Sequence, residues 1–274
     1  MINDKRLELF APAKVNYYLH VLDRRPDGYR NIGSLMGFLD IGDNIEIEEA
    51  NEFSYTTTGT FAHHVPKDIE QDLGVQAARL LSQKTERPLS VAINVEKNLP
   101  SGAGMGGGSS DAATILMGLN QWFGSELSEE EICTMGLELG SELPVCVRQR
   151  LTLVSGRGEE LLDSSEERTR PMLIIWPNIF CSTSKMFSKF KPATNHVGND
   201  LTETASSIYP EIKQCLSIMK AQYGVQGVQM NGSGSSCFAI FDDLEKAEMA
   251  QKIILNQKPT WWVRVAHPYS RPKF

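Results

Sequence analysis

The chain has 274 residues, of which 41% are hydrophobic and 22% charged, and its formal net charge is −7. This length and composition are typical of a globular protein with one large or two medium domains. The acidic balance argues against nucleic acid as a partner, because a surface that binds a phosphate backbone must be basic. No apolar run approaches the ~18 residues of a membrane span, and the first 20 residues carry charges. We therefore expect a cytoplasmic protein without a membrane partner.

The five cysteines show no CxxC spacing and mostly lie in apolar segments. This pattern is typical of reduced, buried thiols in a cytosolic protein. The histidines include no HExxH arrangement, so no structural zinc site is expected. His63 and His64 lie in a polar loop and are expected to be solvated.

The first half of the chain predicts strands and helices around a glycine-rich loop. β-Branched and aromatic residues at 7–22 and alternating isoleucines within 43–50 predict strands, and the Pro-Asp-Gly sequence at 26–28 predicts a turn between them. Apolar residues at helical spacing predict a helix over 73–81. A further strand is expected over 89–100, where a proline ends it.

A helix is expected after the glycine loop, and another begins at a capping box, Ser128 with Glu131, and ends at Gly140. The second half again predicts a mixture of elements, with strands at 172–176, 237–241 and 260–266 and helices at 210–223 and 244–254. This order of elements favours two α+β lobes over a doubly wound parallel sheet. Polar residues and glycines cluster at 155–163, and we expect domains 1–158 and 159–274.

The loop at 101–108 holds five glycines directly before a helical pattern. Glycines let backbone N–H groups approach an anion, and a helix N-terminus attracts phosphate. The loop contains G-x-G-x-x-G, but polar residues and Pro100 separate it from the preceding strand, which disfavours a dinucleotide fold. No lysine follows Gly108, and this excludes a Walker loop. Asp111 can cap the helix or, with Ser109, help to hold a magnesium ion.

Three segments resemble the GHMP small-molecule kinases: PAKVN at 12–16, GGGSSDAA at 106–113 and GSGSSCFAIF at 232–241. The resemblance covers nearly the whole chain. It implies an α+β fold of two lobes, an N-terminal lobe like ribosomal protein S5 and a ferredoxin-like C-terminal lobe, with the active site in the cleft between them. It also implies ATP and Mg²⁺ as cofactors and a small-molecule acceptor. We expect a monomer or a homodimer.

Within this family, the segments at 24–30, 38–43 and 156–159 are similar to one branch. That branch phosphorylates the 2-hydroxyl of a cytidylyl methylerythritol on the non-mevalonate route to isoprenoid precursors. Two alternatives stay open at this point. One is a family kinase for a different small alcohol, and the other is a weakly active or inactive paralogue that binds nucleotide.

The resemblance implies roles for residues at matching positions. Lys14 matches a lysine beside the accepting hydroxyl, and Glu142 stands where the catalytic base of the family is an aspartate. Asp72 stands where the family tends to have an asparagine near adenine. The residues implied in ATP binding are Asp72, Lys97, Pro100, Gly102, Gly104, Gly106, Gly107, Gly108, Ser109 and Ser110.

The acceptor site is implied in the same way. Tyr29 matches an aromatic residue that stacks on cytosine, and Phe187 is expected on the opposite face of the base. Arg30 replaces a family histidine, and because a guanidinium donates but cannot accept, it can satisfy the acceptor atoms of cytosine but not its amine. The implied acceptor-binding residues are Asn16, Asp27, Tyr29, Arg30, Phe187, Gly232, Ser233 and Gly234.

Overall fold

The structure is a computed structural model that describes residues 6–26, 28–191 and 198–271. The first lobe is built on a mixed sheet with the strand order β3-β4-β2-β5-β6, and β1 and β11 also pair with β2. The strands of this sheet are β1 (Arg6–Arg24), β2 (Arg30–Glu49), β3 (Ser54–Thr58), β4 (Val91–Glu96), β5 (Thr152–Ser155), β6 (Glu160–Asp163) and β11 (Pro268–Tyr269).

The long hairpin β1–β2 forms the centre of this sheet. Its strands are antiparallel, with Lys14 opposite Phe38, and the register shifts between Pro12 and Ala13, just before that pair. Apolar residues alternate toward the core along β2, where Ile45 and Ile47 are buried as their alternation with acids predicts. The hairpin therefore places Lys14 in the buried middle of the lobe.

The helices of the first lobe are α1 (Leu73–Thr85), α2 (Gly107–Phe123), α3 (Glu129–Leu139) and α4 (Leu143–Arg148). They pack around α2, which lies on strands β1 and β2 of this sheet. Helix α2 approaches β2 closely at Gly118, where an added Cβ would lie 3.0 Å from Ile47. The capping box of Ser128 and Glu131 is present at the start of α3, as predicted. Short 3₁₀ helices lie at Ala62–His64 and Ile69–Gln71.

The second lobe contains an antiparallel sheet in the order β10-β7-β9-β8. Its elements are β7 (Met172–Trp176), α5 (Thr183–Lys189), α6 (Thr202–Ile208), α7 (Pro210–Lys220), β8 (Val225–Met230), β9 (Cys237–Phe241), α8 (Leu244–Gln257) and β10 (Trp262–Ala266). This order of strands, with α7 and α8 as the crossovers, is that of a ferredoxin-like lobe. The predicted α+β fold of two lobes is thus confirmed.

Helices α4, α5 and α6 are absent from the sequence-based expectations. The predicted division after residue 158 falls within the hairpin β5–β6, and both strands of that hairpin belong to the first sheet. We therefore propose that the lobes divide within 164–171, with β11 returning to the first lobe. The five cysteines are free thiols, and all except Cys133 are buried. Within the described ranges, no helix is both long and apolar enough to span a bilayer.

Candidate active site

A cleft of ≈ 1150 Å³ lies between the two lobes. Most of the residues expected in the site line it: Lys14, Asn16, Tyr29, Arg30, Asp72, Lys97, Pro100, Gly102, Gly104, Gly106, Gly107, Gly108, Ser109, Asp111, Glu142, Phe187, Gly232 and Ser233. Ser110 and Gly234 are not among the lining residues. The expected acceptor contact Asp27 lies outside the described residues. The linear motifs are therefore brought together across both lobes.

The glycine loop has a backbone that favours glycine. Gly102, Gly104 and Gly106 have φ values of 67°, 79° and 68°, in the left-handed region. Gly106 is also the N-cap of α2, so the loop leads directly to the unpaired N–H groups of a 17-residue helix. An added Cβ at Gly106 would lie 3.3 Å from the side chain of Lys14. The loop thus places an anion-binding helix terminus next to that lysine.

The glycine loop also packs on a turn of the second lobe, backbone against backbone. An added Cβ at Gly104 would lie 2.6 Å from the carbonyl oxygen of Asn231 and 2.8 Å from that of Gly234. The Ser236 N–H donates to the carbonyl of Ala103 at 2.9 Å. Gly234 therefore lies behind the loop and allows the two turns to meet, whereas Gly232 and Ser233 line the cleft.

The two serines at the start of α2 face different directions. Ser109 lines the cleft. Ser110 is fully buried, and its hydroxyl donates to the carbonyl of Pro12 at 2.7 Å. The side chain of Ser110 therefore fastens α2 to β1 and does not face the cleft, in contrast to the expectation that it contacts ATP.

A buried ion cluster lies beneath the loop. The Lys97 ammonium contacts the carboxylates of both Asp43 and Asp111. The other oxygen of Asp43 accepts from the backbone N–H groups of Asn98, at 2.6 Å, and Leu99, at 2.8 Å. Asp43 thereby fixes the turn that enters the glycine loop. Burial lowers the pKa of Lys97, but Asp111 and Asp43 outweigh it and the net shift is upward.

Asp111 and Lys97 line the cleft, whereas Asp43 lies behind them. The Oδ1 atom of Asp111 is buried and has no hydrogen-bond partner among the described residues. Burial raises the pKa of Asp111 above its usual value, against the opposing effect of Lys97. A buried oxygen without a partner is costly, so this atom is suited to accept a ligand from the cleft.

Lys14 and Glu142 meet at the opposite side of the loop. The Lys14 ammonium, 1% exposed, donates to Glu142 Oε1 and to Asn16 Oδ1, both at 2.9 Å. The Asn16 amide donates in turn to Ser34 Oγ at 2.9 Å, which fixes the orientation of Asn16. Glu142 stands immediately before α4, and its side chain is 43% exposed. A buried, oriented cation therefore lies beside a carboxylate that a substrate can reach.

Asn231 of the second lobe holds this part of β1 in place. Its side-chain carbonyl accepts from Asn16 N–H at 2.9 Å, and its amide donates to the Lys14 carbonyl at 3.0 Å. The side-chain amide of Asn199 donates to the carbonyls of Met230 and Gly232 at 2.9 and 2.7 Å. The sequence alone predicted no contact for Asn231, Asn199 or Asp43, and only Asp43 lies within a segment that resembles the family, at 38–43.

One end of the cleft is apolar with a polar edge and includes Leu73, Leu99 and Pro100. Asp72 lies there as the N-cap of α1, and its Oδ1 accepts from Gly74 N–H at 2.8 Å and from the Tyr55 hydroxyl at 3.0 Å. Burial and then the charge of Asp72 raise the pKa of Tyr55 well above its usual value, so the hydroxyl remains a donor.

His64 also lies at this end and is half-buried, whereas His63 is exposed, so the expectation of solvated rings holds fully for His63 only. It lines the cleft, and its Nδ1 accepts from the backbone N–H of Ser101 at 3.3 Å. Its ring centroid is 5.1 Å from that of Phe61 and 5.7 Å from that of Trp176. His64 therefore supports the first residue of the glycine loop.

The other end of the cleft carries aromatic rings and arginines. Tyr29 is 58% exposed, and the Arg157 guanidinium lies 5.2 Å from its ring centroid. Arg30 donates to the carbonyl of Leu22 at 3.3 Å, and its guanidinium lies 5.2 Å from the ring centroid of Phe190. Phe187 lines the cleft at the same end. This end thus combines stacking surfaces with positive charge.

Comparisons with known proteins agree with this architecture. The model of the GHMP kinases N terminal domain matches residues 72–147, and that of the GHMP kinases C terminal domain matches residues 189–258. The chain therefore belongs to the GHMP kinase family.

Particular members of that family resemble the whole chain. The 4-diphosphocytidyl-2-C-methyl-D-erythritol kinase of Brucella abortus is 36% identical, over 94% of this chain and 94% of its own length. That of Polynucleobacter necessarius is 37% identical, over 96% of this chain and 92% of its own length.

Solved structures give the same result. A crystal structure of 4-(cytidine 5'-diphospho)-2C-methyl-D-erythritol kinase matches with a TM-score of 0.81 at 28% identity, over 95% of this chain and 99% of that one. The homoserine kinase of Cytophaga hutchinsonii matches with a TM-score of 0.73 at 14% identity, over 100% of this chain and 97% of that one, and shares the fold.

Proposed function

We propose that this protein transfers the γ-phosphoryl group of ATP to the 2-hydroxyl of 4-diphosphocytidyl-2-C-methyl-D-erythritol. The acceptor is supported by relatives of that name at 32–37% identity over most of the chain. The observation that carries the proposal is the 2.9 Å contact between Lys14 and Glu142 beside the glycine loop. Phosphoryl transfer needs a positioned acceptor and neutralised charge, and this arrangement offers both.

In the proposed reaction, the acceptor oxygen attacks the γ-phosphorus and ADP leaves. The Glu142 carboxylate takes the proton of the hydroxyl, and the Lys14 ammonium stabilises the oxygen as it becomes negative. Asn16 and Glu142 both accept from the Lys14 ammonium and so fix its position. The glutamate is one methylene longer than the family aspartate, yet its carboxylate reaches the lysine, which supports a role as base.

The phosphates of ATP are proposed to bind the glycine loop and the N-terminus of α2. The apolar end of the cleft, with Leu73 and Leu99, would take the nucleobase, and the polar groups of Asp72 and His64 lie at its edge. This orientation directs the γ-phosphate toward Lys14, because Gly106 lies directly beside the side chain of that residue.

The residues present fit a magnesium ion. Asp111 Oδ1 is buried without a partner among the described residues, and Ser109, two residues earlier in α2, lines the cleft. Carboxylate and hydroxyl oxygens are the ligands that Mg²⁺ prefers alongside phosphate oxygens. When bound, the ion would supply positive charge to the transferring phosphate. We propose that Asp111 and Ser109 hold it.

A steady-state assay of ADP release tests the proposal. With the cytidylyl acceptor we expect saturable turnover that is lost in Lys14→Ala. Turnover only with another alcohol would favour a family kinase with a different acceptor. Tight ATP binding without acceptor-dependent ADP release from a panel of alcohols would indicate a nucleotide-binding paralogue.

A further inference from the structure

We propose that Arg24, Arg30 and Arg157 form a subsite for a diphosphate group of the acceptor, with Arg157 as the residue that determines this specificity. The proposal rests on the proposed function for the identity of the acceptor alcohol. The recognition of a diphosphate rests on the geometry of this end of the cleft alone.

Two adjacent hairpin turns bring the three arginines to one place. Arg24 and Arg30 flank the turn between β1 and β2, and Arg157 lies in the turn between β5 and β6. The N–H of Ile32 donates to the carbonyl of Gly156 at 2.8 Å and joins the two turns. All three arginines line the cleft at the end that also contains Tyr29 and Phe187.

The guanidinium groups of Arg157 and Arg30 are oriented by aromatic rings. Each lies 5.2 Å from a ring centroid, that of Tyr29 for Arg157 and that of Phe190 for Arg30. A guanidinium that stacks on a ring keeps the N–H donors at its edge available for a planar or tetrahedral anion. Arg30 spends one N–H on the carbonyl of Leu22, and the remaining donors of both guanidinium groups can bind an anion.

Arg157 carries a donor in need of an acceptor. Its Nε is buried and makes no hydrogen bond within the part of the chain that the structure describes. The carboxylate of Glu159 forms an ion pair with this nitrogen at 3.8 Å, a distance too long for a hydrogen bond, so the Nε–H still lacks an acceptor. A buried donor without an acceptor is costly, so binding of an anion there is favoured.

The charge at this end contrasts with that of the rest of the molecule. The chain has a net charge of −7, yet three arginines line this end. The carboxylates among the described lining residues, Asp72, Asp111 and Glu142, belong to the nucleotide end and to the reacting centre. Arginine has donors only, so the cluster is complementary to an anion, whereas the exposed ring of Tyr29 remains a surface for a base.

A binding experiment with the whole protein tests the subsite. Cytidine and cytidine 5'-diphosphate (CDP) are titrated calorimetrically into protein saturated with ADP, which keeps the probes from the glycine loop. We expect CDP to bind about tenfold more tightly than cytidine or better, as charge-assisted hydrogen bonds imply. In Arg157→Ala the affinities for CDP and cytidine should become similar. Arg157→Lys keeps the charge but loses the forked donors, and its ratio of the two affinities should lie between those of the wild type and Arg157→Ala.

Arg264→Ala is the matched control, because Arg264 is an exposed arginine on β10 that does not line the cleft. This control variant should leave the ratio of the CDP and cytidine affinities unchanged. In the wild-type protein, added salt should lower the same ratio. In turnover, Arg157→Ala should raise KM for the acceptor and leave KM for ATP and kcat unchanged.

Equal binding of CDP and cytidine to the wild-type protein, or a ratio that Arg157→Ala does not change, would overturn the subsite even if the cytidylyl acceptor is phosphorylated. If that acceptor is not phosphorylated but the ratio depends on Arg157, only the identity of the alcohol is wrong. The subsite then stands as a site for another diphosphate compound.

Discussion

Lys14 Nζ donates to Glu142 Oε1 at 2.9 Å, although 128 residues separate the two in the chain. Lys14 is almost fully buried, and Glu142 is half exposed at the start of α4. The pair therefore joins the interior of the first lobe to the open cleft. A carboxylate in this position can receive a proton from a bound hydroxyl and keep the charge of the lysine balanced.

Glu142→Gln should lower kcat by about 10²- to 10⁴-fold, because an amide cannot act as a general base. KM for ATP should be unchanged, since Glu142 is not among the residues proposed to bind ATP. Glu138→Gln is the control, because Glu138 forms a solvent-exposed ion pair with Lys84. A Glu142→Gln variant with more than a tenth of the wild-type kcat would rule out the base.

Glu142→Asp should also lower kcat, by about 100-fold, because the carboxylate retreats from Lys14 by roughly 1 Å. Single-turnover measurements separate this effect on chemistry from product release. An increase in turnover would instead mean that the longer side chain of the native protein is a handicap.

Asn231→Ala should destabilise the protein by about 2–5 kcal/mol, because the Lys14 carbonyl and the Asn16 N–H both lose their partner within the buried interface of the lobes. Urea unfolding measures the change. Asn44→Ala, which removes an exposed hydrogen bond to Glu96, is the matched control and should cost far less. Equal losses in the free energy of unfolding for the two variants would contradict a stabilising role for the hydrogen bonds of Asn231.

Much of the fold could be predicted from the sequence because its signals are local. The alternation in β2, the capping box of α3 and the glycine loop each occupy a short continuous segment. Helix α4 could not be predicted, because Leu143 to Val147 are all buried. The helix therefore has no polar face and shows no helical periodicity in the sequence.

The parts of the site that could not be predicted depend on distant contacts. Asp43 binds the backbone of Leu99, 56 residues away, and Asn231 binds that of Lys14, 217 residues away. Ser110 shares a motif with Ser109, and only the rotation of α2 decides which of the two faces the cleft. Residue type and local spacing do not reveal which distant residues come into contact.

Gly104→Ala should destabilise the contact between the lobes, because the new Cβ would lie 2.6 Å from the carbonyl of Asn231. Gly124→Ala is the matched control, since Gly124 is also left-handed, with φ 60°, but has nothing within 4 Å. We expect the control to lose only the ~1 kcal/mol of backbone strain and Gly104→Ala to lose clearly more in urea unfolding. Gly104→Ala should also raise KM for ATP, and similar behaviour of the two variants would argue against close packing of the loop.

His64 should make stability depend on pH below neutrality. Burial and then repulsion from His63 lower the pKa of His64 from 6.5, and only the neutral ring can accept at Nδ1 from Ser101. The folded state then binds fewer protons than the unfolded state, so this contribution is present above pH 6.5 and is lost as the pH falls through the lowered pKa.

His64→Gln removes the titration and keeps a hydrogen-bonding side chain. The stability of the wild-type protein relative to this variant, from urea unfolding at a series of pH values, should fall on acidification from neutral pH. His63→Gln removes one cause of the shift and should narrow the range of pH over which the loss occurs. A difference between wild type and His64→Gln that does not vary with pH would refute the assignment.

Lys97→Met should be among the most destabilising single substitutions, because it leaves Asp43 and Asp111 buried together without their cation. Removal of one partner from a buried ion cluster costs about 3–5 kcal/mol. Lys84→Met is the same substitution in the exposed pair with Glu138 and should cost about 1 kcal/mol or less. Urea unfolding of both variants gives the comparison. Since Asp43 also fixes the backbone of Asn98 and Leu99, any folded Lys97→Met protein should bind ATP more weakly, and unchanged affinity would show that the cluster does not support the glycine loop.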